Sequence, residues 1–122
     1  MMPRLLLTFS SVILTAGGVM HAMAFNRTAS AVAASNLPTF FANSLRALWL
    51  IDSATLITLA VVFGSIAARP SRATRGVVML LAIIPGATAF FLYVFIGNFI
   101  PAHMLLAAAV AAFVGGLRLH GD

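Results

Sequence analysis

Four long apolar runs, parted by short polar breaks, account for most of the chain. They cover residues 5–25, 45–67, 77–97 and 101–117, and the only charged residues inside any of them are Arg46 and Asp52. At 1.5 Å per residue a run of ~21 residues rises ~31 Å, enough to cross the ~30 Å hydrocarbon core of a bilayer. The last run rises only ~25 Å and should stand nearly upright. The pattern predicts an all-α protein, a polytopic four-transmembrane-helix bundle forming a single membrane domain.

The breaks carry their own signals. Residues 26–44 form the longest and least apolar connection, within which residues 29–35 suggest a short surface helix. Asn36 then reads as a helix cap, with Pro38 in the first turn. Phe40 and Phe41 suit the interface, where aromatic side chains anchor. Asn26-Arg27-Thr28 matches the glycosylation sequon, a motif short enough to arise by chance. Ser71-Arg72-Ala73-Thr74-Arg75-Gly76 is a polar turn, and Gly97-Asn98-Phe99-Ile100-Pro101 a tight one. Pro85 removes a backbone donor from the middle of the third run and predicts a kink there. At the start, Arg4, the apolar run and Ala22-Met23-Ala24 also imitate a secretory signal with a small-residue cleavage site. The length of the run and His21 beside the cut favour its retention as a helix.

Composition narrows the class. Apolar residues make up 62% of the chain and charged residues 7%, with a mean hydropathy of +1.11. Soluble domains carry roughly 25% charged residues, so this chain cannot clothe a water-facing surface. The net charge of +5 comes wholly from arginine. No basic stripe with interleaved aromatics accompanies it, which sets nucleic acid aside. The lack of lysine in an Ala- and Arg-rich chain hints at a GC-rich bacterial genome. The lack of cysteine removes disulfides and thiolate metal sites.

The arginines sit at the ends of the runs, where they orient the chain and meet anionic headgroups. Arg4, Arg69, Arg72, Arg75 and Arg118 fall on one side, Arg27 and Arg46 on the other. The excess places both termini in the cytoplasm and the protein in the bacterial inner membrane. Rows of small residues predict close helix packing: Ser11, Thr15, Gly18 and Ala22; Ala82, Gly86, Ala89, Tyr93 and Gly97; Ala107, Ala111 and Gly115 beside Ala108, Ala112 and Gly116.

One position stands out chemically. Asp52 is the sole acid before the terminal Asp122, and it interrupts the apolar stretch Arg46-Ala47-Leu48-Trp49-Leu50-Ile51-Asp52-Ser53. An ionisable group at membrane depth is a functional candidate by default. Antiparallel helices bring His21, Asp52 and His103, with Tyr93 and Asn98, to about one layer near the outer face. Depth follows from the sequence; rotation about each helix does not. Two imidazoles and a carboxylate make a ligand set for a divalent metal, and His21 with His103 could flank one haem. Asp52 could instead titrate in proton-coupled transport, hydrogen-bond a neighbouring helix, or pair with Arg27 or Arg46. An Arg46–Asp52 bridge within one helix is disfavoured, since six residues turn ~240°. His120, in the C-terminal tail, needs no role.

Gly17-Gly18-Val19-Met20-His21, Leu45-Arg46-Ala47-Leu48-Trp49-Leu50 and the short arginine turn together resemble small four-helix bacterial membrane proteins. The layout is similar to the DoxX-like group. The resemblance implies a membrane bundle and carries no catalytic residues. In size and in its single membrane acid the chain also resembles small multidrug resistance exporters. Those hold their essential glutamate in the first helix, whereas Asp52 is in the second. The leading expectation is a non-enzymatic accessory subunit that meets lipid and either other membrane subunits or its own copies. A metal or haem site on His21, Asp52 and His103, and a small proton-coupled transporter using Asp52, are the alternatives.

Overall fold

A computed structural model describes residues 1–119, so His120 and Asp122 lie outside the described residues. It contains α1 (Met2–Met23), α2 (Phe25–Ala33), α3 (Thr39–Ala68), α4 (Arg75–Phe95) and α5 (Ile100–Leu117), with a single 3-10 turn at Pro70–Arg72. No strand occurs among the described residues. Four helical stretches are long and apolar enough to cross a membrane: α1 with its continuation α2, then α3, α4 and α5.

The boundaries depart from the sequence pattern mainly between the first two spans. The α1 helix ends at Met23, and Ala24 keeps right-handed helical torsions that lead directly into α2. The short helix therefore lies at Phe25–Ala33 rather than at residues 29–35. The α3 helix starts at Thr39, six residues before the apolar run at Leu45. Its N-cap is Pro38, without a side-chain cap bond, so Asn36 does not cap it. Hydropathy marks where a helix enters lipid, not where its hydrogen bonding begins. At the other breaks Thr74 caps α4 through Val77 N–H, and Gly97, with φ of +99°, reverses the chain into α5. Pro85 lies inside α4, which continues through it, and its side chain is fully buried.

The spans pack antiparallel and in series. α3 lies on α1, α1 on α5 and α5 on α4, whereas α3 and α4 barely touch. Small residues set each contact. Gly18 faces α3, where a Cβ would stand 2.8 Å from Ile57 Cγ1. Gly115 faces Leu6 and Leu7 of α1, and its neighbour Gly116 faces Val78 and Met79 of α4. Thus the two adjacent glycines of α5 face different neighbours, while Ala107 stays exposed. On α4 the stripe Val78, Ala82, Pro85 and Ala89 is buried.

The central helix is also pinned by hydroxyls. Ser10 Oγ donates to Ala108 O of α5 at 2.9 Å, and Ser11 Oγ donates to Ala60 O of α3 at 2.7 Å. Adjacent serines thus point to opposite neighbours. Each such bond between helices contributes ~0.6–2 kcal/mol in lipid. Leu7, Leu14, Phe63 and Val78 fill the core around them. The two ends of the molecule differ in kind. One gathers Arg4, Arg72 and Arg75; the other holds His21, Asp52 and His103.

Candidate functional site

The α3 helix presents Trp49, Asp52 and Ser53 on one face, at the i, i+3 and i+4 spacing that aligns side chains. His21, in the last turn of α1, lies against that face. Its ring stacks on the Trp49 indole with centroids 3.9 Å apart and planes within 10°. Trp49 Nε1–H donates to the His21 carbonyl at 2.7 Å, which holds the last turn of α1 against α3. His21 Nδ1 lies 2.8 Å from Ser53 Oγ, and Nε2 lies 3.6 Å from Asp52 Oδ2. Four side chains therefore close a cluster between two helices.

Ser53 Oγ lies within hydrogen-bond distance of both the Trp49 carbonyl, at 3.0 Å, and His21 Nδ1, at 2.8 Å, and the imidazole tautomer decides which of them takes its proton. With the ring proton on Nε2, Ser53 donates to Nδ1 and Nε2–H faces Asp52; with it on Nδ1, Nδ1–H donates to Ser53, which donates in turn to the Trp49 carbonyl. The side chains of His21 and Asp52 remain 27% and 35% exposed.

Depth can be measured from the arginine end. At 1.5 Å per residue, His21 stands ~26 Å from Arg4 and Asp52 ~24 Å from Ala68. His103 stands ~22 Å from Arg118 by the same rise. By helix rise alone the three stand at similar heights above that end. Rotation then separates them. His103 is exposed on α5, and its Nδ1 meets Tyr93 Oη of α4 at 2.7 Å. It also borders an apolar groove of about 480 Å³ lined by Leu6 and Phe9 of α1 and Leu106 and Val110 of α5. Among the described residues, no three His, Asp or Glu side chains gather to share a metal ion. The structure brings His21 to Asp52 and leaves His103 with Tyr93.

Asp52 finds neither Arg46 nor Arg27. Arg46 reaches instead toward Asn43 Oδ1 and the Ala29 carbonyl, both at 3.4 Å, and so ties α2 to α3. Ser53 is the member of the cluster that the sequence pattern overlooked. It is 4% exposed, and the available signal was its spacing alone, directly after the acid and four residues past the tryptophan. Asn98 is exposed in the turn after α4 and takes no part in the cluster.

No family model, curated protein or solved structure matches the chain. The DoxX-like layout thus stays an expectation from the sequence, and function has to be argued from these residues.

Proposed function

We propose that the chain is a small integral membrane protein of the bacterial inner membrane, with its arginine end in the cytoplasm. It serves as a non-enzymatic subunit of a larger membrane assembly. The observation that carries this reading is the open packing order: α3–α1–α5–α4 is a series, and the side between α3 and α4 is not closed by contacts within the chain. Helices associate in lipid through close-fitting surfaces and interhelical hydrogen bonds rather than through hydrophobicity. Here those devices are spent on the three internal seams, and the outer faces of α3 and α4 are left as long apolar surfaces. The partner that suits them is another apolar helix, from a different subunit or a second copy. Native extraction into lipid nanodiscs followed by mass measurement tests the reading. A stoichiometric companion is expected; a lone monomer that brings nothing down overturns it.

The His21–Asp52 pair favours one second reading, a carrier that couples transport of a small cation or apolar compound to one proton. A carboxyl group and an imidazole 3.6 Å apart on two apolar helices are the parts of such a relay. Proton-driven uptake in vesicles that persists unchanged in Asp52→Asn would remove it.

A further inference from the structure

The arginine end holds a cavity that neither reading uses. It has a volume of about 810 Å³ and is bordered by the start of α1, by residues 70–76 and by Leu119. Arg4, Arg72 and Arg75 line it, together with Ser71, Thr74 and Gly76. That volume lies within the ~300–1,000 Å³ typical of small-molecule sites.

Charge balance says what the cavity lacks. The only acid among the described residues is Asp52, at the other end, where it pairs with His21. No arginine at this end has a carboxylate partner among the described residues. The full sequence adds one acid, Asp122, against Arg4, Arg69, Arg72, Arg75 and Arg118. Arg4, Arg72 and Arg75 around one cavity, with no carboxylate partner among the described residues, repel one another, and an anion bound among them removes that repulsion. Arginine forks match the oxygens of phosphate in a bidentate manner that a point charge cannot reproduce. The hydroxyls of Ser71 and Thr74 can donate to the remaining oxygens. Gly76 has open space where a side chain would stand, so the first turn of α4 can be approached closely.

Position selects among anions. The apolar length of α4 begins immediately after the cavity, at Val77 and Val78. An anion seated among the arginines can therefore continue into apolar chains along the helices. We propose that this cavity binds a phosphate group, carried by an anionic phospholipid headgroup or by a free phosphate. The proposal goes beyond both readings above, and its lipid form rests on the membrane placement stated there.

The test uses the full chain. Purified protein is placed in nanodiscs of phosphatidylcholine with a minor share of phosphatidylglycerol, and retained lipid is identified by native mass spectrometry. The wild type should retain phosphatidylglycerol over phosphatidylcholine. Arg72→Gln with Arg75→Gln should lower that retention about tenfold or more, the loss expected from removing charge-assisted hydrogen bonds. Arg27→Gln, at the opposite end, should leave it within about twofold, as for a screened surface charge. A second arm titrates inorganic phosphate into protein held in a neutral detergent and follows its binding by calorimetry. Phosphate binding that the double variant abolishes, without lipid preference, assigns the free anion. Equal loss in the Arg27→Gln variant, or no binding in either arm, overturns the proposal. Carbonate washing of membranes checks insertion separately: protein washed out would defeat the membrane placement while the calorimetric arm still reads the cavity.

Discussion

The two ends of this molecule treat charge in opposite ways. At the histidine end every charged or aromatic group of the α1–α3 cluster has a partner inside the chain: His21 has Trp49, Ser53 and Asp52, and Trp49 has the His21 carbonyl. At the arginine end Arg4, Arg72 and Arg75 surround a cavity with no carboxylate among the described residues. A satisfied polar cluster within an apolar layer locks helices together. An unsatisfied one at the edge of that layer is a place for something else to bind. The same residue classes thus mean stability at one end and recognition at the other.

That contrast is open to direct attack, and the strongest blow falls on the histidine end. Trp49→Ala removes the stacked ring and the bond to the His21 carbonyl, and should cost about 3 kcal/mol, the low end for tryptophan truncation, because the residue is only partly buried. Reversible unfolding in mixed micelles reads the loss. Gly18→Leu should cost about 2 kcal/mol by the same assay, since even a Cβ would meet Ile57 at 2.8 Å and overpacking strains the α1–α3 seam. That variant separates the seam from the cluster above it.

Smaller effects sharpen the comparison. His21→Ala leaves Asp52 and Ser53 without their shared partner and should destabilise by about 1–3 kcal/mol. His103→Ala, at an exposed position, should stay within about 0.5 kcal/mol. Equal losses from the two would mean that the layer acts as one unit, and the separation of the histidines drawn above would fail. The paired change His21→Phe with Asp52→Leu should be near neutral or stabilising if the pair only joins helices, since apolar replacement of an ion pair often is. Any transport lost in that stable double variant would then belong to the proton and not to the fold. Least of all, Arg72→Gln with Arg75→Gln should leave unfolding within about 0.5 kcal/mol while changing what binds. A large loss of stability there would make the arginine end structural and erase the contrast.

The sequence by itself determined the class of molecule, because hydropathy is a local property. A span of ~20 apolar residues has few alternatives to a membrane helix, and the arginines mark its ends without reference to any neighbour. Depth could be reckoned in the same way, since constant helix rise puts His21, Asp52 and His103 at similar heights, and His21 does meet Asp52. Helix starts were less legible, since Thr39 begins α3 in residues whose composition resembles a connection.

What only the tertiary structure decided was rotation and neighbourhood. Each helix can turn about its axis without changing its hydropathy, and lipid covers any apolar face equally well, so nothing local selects which residues meet. Close-packed glycines and serines made that choice: Ser10 and Ser11 placed α1 between α5 and α3, and Gly115 and Gly116 placed α5 between α1 and α4. Those contacts turned His21 toward Asp52 and His103 toward Tyr93. They also drew Arg4 to Arg72 and Arg75, distant from it in the chain, around one cavity.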